Sequence, residues 1–225
     1  MRAMILAAGR GNRLRPLTDT CPKPLIQVGG KPLIAYHIEN LKKAGISKII
    51  INVSHLAEKI QDFLGDGEKW DVAISYSFEP TMLEVGGGIF KALPLLGQDP
   101  FIIVNGDIWT DYPIAKLPQK PKGLAHLVLV DNPPHNQNGD YGLQSDGRLI
   151  RSPQYTYSGI SVLAPELFKG CQIGAAFRLA PVLDQAMRDQ LLYGEYYSGS
   201  WTDVGSIERL QSLEKSLAWS STLVK

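Results

Sequence analysis

Across its first hundred residues the chain alternates short apolar runs with stretches of helical period, and no other feature limits its possible folds as strongly. Residues 3–7 form an apolar run, 33–44 a helical pattern and 48–53 a β-branched strand, which together make a βαβ unit. The rhythm continues with a helix over 56–64, a strand over 72–77, a helix over 89–95 and a strand over 101–104. Strands joined through helices in this way pair in parallel. After Asp107 the pattern changes to short strands at 124–130, 141–143, 149–150 and 158–163, separated by Pro and Gly. A helix over 176–188, a strand over 191–197 and an amphipathic helix over 207–217 complete the chain. The reading is one α/β domain over 1–225, with a mostly parallel sheet, helices on both faces and a second lobe on the same sheet. Residues 132–139, with two prolines and four amide side chains, are expected to form a mobile loop.

Composition narrows the function classes. At 225 residues, 44% hydrophobic and 20% charged, the chain has the profile of an ordinary globular protein. Its net charge of +1 gives no overall attraction to nucleic acid or to a membrane surface, so any anion must be held by locally placed groups. Cys21 and Cys171 lie far apart without metal-ligand spacing, which suits a reducing compartment. The first apolar run is too short for a signal peptide, and no stretch approaches a membrane span. A cytoplasmic protein is therefore expected.

The segment Leu6-Ala-Ala-Gly9-Arg-Gly11-Asn-Arg13-Leu-Arg15-Pro-Leu-Thr18 leaves the first strand at its carboxyl end, where open α/β sheets bind ligands. Gly9 and Gly11 allow backbone amides to approach a polyphosphate, and Arg13 and Arg15 add guanidinium donors suited to phosphate oxygens. A tight turn with solvent-facing arginines would use the same residues. Other nucleotide motifs fit less well. A dinucleotide fingerprint would place a third glycine where Leu14 stands and an acid near Asn52-Val53-Ser54, while a P-loop would not follow Gly30-Lys31 with Pro32. In Pro22-Lys23-Pro24 the two prolines leave the intervening backbone few conformations, which suits a fixed phosphate contact.

The arginine loop together with Pro22-Lys23-Pro24 resembles the signature of the sugar-phosphate nucleotidyltransferase family, which includes glucose-1-phosphate thymidylyltransferases and mannose-1-phosphate guanylyltransferases. The resemblance extends in order through Glu84-Val-Gly86-Gly-Gly88, Asn105-Gly-Asp107 and Trp201-Thr-Asp203-Val-Gly205. It implies a doubly wound, Rossmann-like fold with a small sugar-binding lobe, residues 1–112 mainly binding nucleotide and 113–225 mainly sugar. The implied substrates are a nucleoside triphosphate and a sugar 1-phosphate, whose phosphate oxygen attacks the α-phosphorus and expels pyrophosphate. A phosphate monoester is largely dianionic at neutral pH, with a second pKa of about 6, so no general base is needed. The protein has to supply alignment and charge neutralisation.

Residue by residue, the resemblance implies that Arg13 holds the departing pyrophosphate and Lys23 neutralises the incoming phosphate. Asp107 and Asp203 would hold Mg²⁺, which takes one or two protein carboxylates plus phosphate oxygens; an Asp after a strand is also an ordinary turn former or cap. Asp111 reads as a turn residue. Leu6, Ala8, Gly9, Gly11, Asn12, Arg13, Gly86, Gly87 and Asn105 would bind nucleotide, with the glycines of 86–88 opening a helix against which a planar base could lie. Lys23, Glu84, Asp140, Gly142, Ser158 and Arg151 would serve the sugar.

One departure bears on specificity. Where many relatives carry a Glu-Lys-Pro segment for sugar hydroxyls, this chain has Arg148-Leu-Ile-Arg151-Ser-Pro153; a cation at Arg151 would favour an acidic sugar, and a surface arginine on a short hairpin would use the same residue. Residues 82–112 resemble the branch of the family that takes UTP and an acidic amino-sugar phosphate. A mannose-1-phosphate guanylyltransferase is the alternative enzyme, and a silent nucleotide-binding regulatory subunit the alternative without chemistry. The sequence stops soon after the closing helix, without the β-helix domain several relatives add, so a monomer is expected.

Overall fold

The computed structural model describes residues 1–222. Seven strands form one sheet: β1 (Ala3–Leu6), β2 (Lys48–Val53), β3 (Ala73–Phe78), β4 (Phe101–Asn105), β5 (Ala125–Val130), β6 (Thr156–Leu163) and β7 (Leu192–Tyr196). Their order is β7-β5-β6-β4-β1-β2-β3. All run in one direction except β6, which lies antiparallel between β4 and β5. From the central β1 the chain winds outward through β2 and β3, then returns to β4 on the other side. That reversal opens a crevice at the carboxyl ends of β1 and β4.

Two-residue alternation within the strands sends side chains to two separate cores. Ile5, Ile51 and Val104 pack with Ile34, Ile38 and Leu41 of α1 (Leu33–Lys43) and with Ile60 and Leu64 of α2 (Ala57–Leu64). Met4, Ile50 and Ile103 face the opposite side, against Ile89 and Leu96 of α3 (Glu84–Leu96) and Leu179 and Leu183 of α4 (Leu179–Arg188). Covered on both faces, the central strands β1, β2 and β4 are almost wholly apolar, which is why they appear in the sequence as apolar runs. A third cluster packs Leu210 and Leu213 of α5 (Ile207–Thr222) with Leu14 and Val28, so the last helix supports the arginine loop from below.

Three expectations change. The strands expected at 141–143 and 149–150 leave the main sheet and form a separate ribbon, Tyr141–Leu143 with Leu149–Arg151. The helix expected from 176 begins at Leu179, because Phe177 is drawn into backbone pairing: its N–H donates to Leu83 O at 3.1 Å and its carbonyl accepts from Gly87 N at 3.0 Å. The loop expected to be mobile is fastened by its own amides. Asn132 Nδ2 donates to Pro153 O at 2.9 Å, its Oδ1 accepts from Thr156 Oγ1 at 2.9 Å, and His135 Nε2 lies 3.0 Å from Asp203 Oδ1. Among the described residues no helix is long and apolar enough to cross a membrane.

Candidate active site

Three adjoining compartments occupy the carboxyl side of the sheet. The first, about 230 Å³, is lined by Gly9, Gly11, Asn12 and Arg13 of the arginine loop, with Lys23, Asp107 and Gly205. Gly11 has φ +66°, and a Cβ there would lie 2.8 Å from Thr18 Cγ2, whose hydroxyl in turn donates to Gly11 O at 2.9 Å. The turn thus requires glycine at 11 and is locked by Thr18. The 3-10 turn Asn12–Leu14 buries Leu14 and leaves Asn12 and Arg13 exposed on the cavity side. Arg15 does not take part: its Nε pairs with Asp19 Oδ1 at 3.1 Å, one turn on.

Lys23 and Asp107 line both this compartment and the next. The short turn Lys23–Leu25 buries the lysine, which stands between Pro22 and Pro24, and its Nζ donates to Asp107 Oδ2 at 2.6 Å. A charged pair with one partner buried is costly to desolvate, so its presence at a cavity junction points to chemistry more than to stability. His37 lies behind it, bonded to the Ile108 backbone; burial pushes its pKa down to about 4 despite the opposing field of Asp107.

Asp203 ends the strand Trp201–Asp203, which pairs antiparallel with Ile108–Thr110, and Val204 N donates to Asp107 O at 2.7 Å. The two aspartates are therefore joined by a short backbone ladder. Asp203 Oδ1 is taken by Arg209 Nη1 at 2.8 Å and faces His135, with which it lines a neighbouring cavity and not the first compartment; its Oδ2 lies 2.9 Å from where a Cβ on Gly205 would stand. Among the described residues each carboxylate keeps one oxygen without a hydrogen bond, and no group of three or more acidic, His or Cys side chains is placed to hold a metal ion. A pair of carboxylates alone would leave a hard divalent ion to complete its shell with phosphate and water.

The second compartment, about 240 Å³, holds Leu6, Ala8 and Asn105 at the strand ends and Glu84 and Val85 at the start of α3. Its floor contains two residues that sequence reasoning missed, Asn52 and Glu79. Ala7 N donates to Asn52 Oδ1 at 2.8 Å, Asn52 Nδ2 to Glu79 Oε1 at 2.8 Å, and Leu83 N to Glu79 Oε2 at 3.2 Å. This buried chain links the root of the arginine loop to the entry of α3. A buried Asn closing an otherwise apolar strand was the available signal.

Gly86 and Gly87 line none of the three compartments, and the open platform expected of residues 86–88 is already filled by the chain itself. A Cβ at Gly86 would fall 2.5 Å from the Phe177 ring, at Gly87 2.6 Å from Ala175 O and at Gly88 2.5 Å from Glu79 Oε1. Glu84, two residues before them, carries the strain, with φ +59°.

The third compartment, about 410 Å³, shares Glu84, Val85 and Asn105 with the second and adds Asp140, Arg151 and Arg178. Arg178 was missed from the sequence. Gly142 and Ser158 do not line it. A Cβ at Gly142 would meet Ser152 at 2.8 Å, and Ser158 is buried with its hydroxyl accepting from Ile160 N at 3.2 Å. Both serve the packing of the second lobe.

Residues 2–150 match the family model described as nucleotidyl transferase. The chain is 47% identical over 224 residues to an N-acetylmuramate alpha-1-phosphate uridylyltransferase of Neisseria meningitidis serogroup B, covering 95% of this chain and 97% of that protein. It is 31% identical over 224 residues to a mannose-1-phosphate guanyltransferase of Schizosaccharomyces pombe, covering 91% of this chain and 61% of that protein. Its fold superposes with a TM-score of 0.85 and 22% identity on a Bacillus anthracis structure assigned as a glucose-1-phosphate thymidylyltransferase, covering 96% of this chain and 94% of that one. A glycine- and arginine-bearing loop and a Lys–Asp pair at the switch point of a doubly wound sheet stand where these matches lead one to look, and the matches place the chain in the nucleotidyl transferase family.

Proposed function

We propose that the protein is a Mg²⁺-dependent N-acetylmuramate 1-phosphate uridylyltransferase, joining its sugar phosphate to the uridylyl group of UTP and releasing pyrophosphate. It works as a monomer in the cytoplasm, returning a cell-wall sugar to the nucleotide-sugar pool. The observation that carries the reading is the Lys23–Asp107 pair where the phosphate-loop cavity meets the nucleotide crevice. The near full-length match to a muramate uridylyltransferase supports the choice of substrates.

In this mechanism the loop amides and Arg13 hold the β- and γ-phosphates, and the Lys23 ammonium neutralises the incoming phosphate beside the α-phosphorus. Asp107 and Asp203 would hold Mg²⁺, which when bound supplies charge neutralisation at the transferring phosphate. Asn52 and Glu79 fix the floor beneath the nucleotide, and Asn105 with Glu84 borders the sugar. The test is pyrophosphate release across a grid of nucleoside triphosphates and sugar 1-phosphates. UTP with N-acetylmuramate 1-phosphate should give the highest kcat/KM. Faster turnover of GTP with mannose 1-phosphate would replace the reading with a guanylyltransferase, and nucleotide binding without pyrophosphate release would leave a regulatory subunit.

A further inference from the structure

The third compartment carries two arginines in its wall, and their situations differ. Arg151 is engaged: its guanidinium pairs with Asp184, donates to Asp140 O at 3.2 Å and rests 5.4 Å from the centre of the Tyr141 ring. Arg178 has no ion pair or hydrogen bond to its side chain among the described residues. Its backbone is nevertheless fixed on both sides, by the bonds of Phe177 to Leu83 and Gly87 before it and by the start of α4 after it.

The carboxylates of this compartment do not neutralise Arg178. Asp140 Oδ2 accepts the Tyr157 amide at 2.9 Å, Glu84 makes no ion pair among the described residues, and Asp184, which does not line the compartment, is held by Arg151. A free guanidinium on a fixed backbone, in a cavity continuous with the nucleotide crevice, suits a planar oxyanion on the second substrate. The phosphate of a sugar 1-phosphate is committed to the reaction at Lys23. The anion left for Arg178 is therefore one carried elsewhere on the sugar.

We propose that Arg178, rather than Arg151, binds the carboxylate of an acidic sugar 1-phosphate and sets the preference for it over the neutral sugar. The proposal rests on the substrate reading above. It is tested with UTP and either N-acetylmuramate 1-phosphate or N-acetylglucosamine 1-phosphate, which differ by the lactyl ether. For Arg178→Ala the ratio of kcat/KM, acidic over neutral sugar, should fall about tenfold or more, chiefly through KM, as expected for a partly solvated charge-assisted contact. Arg178→Lys should recover part of that ratio. In the wild type the ratio should decline as salt is raised toward about 0.5 M, and in Arg178→Ala it should be flat. Arg151→Ala should lower both substrates alike. Equal losses on both sugars in Arg178→Ala would assign the residue to packing or to neutralising Glu84 and overturn the proposal. A wild type that prefers the acidic sugar, with a variant that keeps the full preference, removes the role of Arg178 alone. A wild type without the preference removes the substrate reading and the proposal with it.

Discussion

His37 sits on the buried face of α1 with its Nε2 lacking a hydrogen-bond partner, and its ring bonds the Ile108 backbone next to Asp107. Burial holds its folded pKa near 4, against 6.5 for the exposed ring. Above the upper value both folded and unfolded states are neutral. Between the two values the unfolded chain binds a proton that the folded chain refuses, so stability is complete at neutral pH and is lost as pH falls through this window. Linkage gives a loss of about 2 kcal/mol at pH 5 and about 3 kcal/mol at pH 4 from this one group. Urea unfolding followed by tryptophan fluorescence, at matched pH values between about 7.5 and 4, measures it. His37→Gln lowers stability by a fixed amount at every pH, so the difference between wild type and variant isolates the histidine from the carboxylates. That difference should shrink on acidification by the amounts given. Parallel curves for the two proteins would refute the reasoning.

Asp107→Asn should reduce kcat by about a hundredfold or more and lower Tm by about 2–8 °C, since the change keeps the side chain's shape but leaves the buried Lys23 ammonium without its counter-charge; kinetics at saturating Mg²⁺ and a thermal melt check both parts. Asp203→Asn should be comparably inactive and likewise less stable than the wild type, because its carboxylate holds Arg209. Arg13→Ala should weaken triphosphate binding in calorimetry, whereas Lys23→Ala should act mainly on KM for the sugar phosphate; the reverse pattern would exchange their roles. Gly86→Ala should cost about 2 kcal/mol in urea unfolding because its Cβ meets the Phe177 ring at 2.5 Å. Gly9→Ala, where a Cβ meets nothing within 4 Å, should leave stability unchanged and weaken nucleotide binding.

The parallel half of the fold was legible because burial on both sides of the sheet makes its strands continuous apolar runs, and Gly and Arg after the first of them mark the ligand end. Less legible were features that depend on distant segments. Residues 86–88 look from the sequence like an open platform, yet their reason is the Phe177 segment packed against them from ninety residues away. Asn52 and Glu79 gain meaning only when β2 and β3 lie side by side. Arg151 stands where the sequence expected a cation, but Asp184 claims it. The Arg178 that lines the same cavity carries no local pattern at all.

The antiparallel strand β6 has a mechanical consequence. It is hydrogen-bonded on one edge to β4, with Ile160 opposite Val104 and Leu163 opposite Phe101, and on the other to β5. Residues 1–112 and 113–225 are thus welded into a single plate, and no hinge can open between β4 and β6 without breaking that ladder. Two-lobed enzymes that close on their substrates spend part of each catalytic cycle in a large-scale swing. On the proposed function, the distance between the two substrate positions would be set during folding, so solvent viscosity should have little hold on the chemical step, and motion during turnover would belong to the ribbon and loops at the rim.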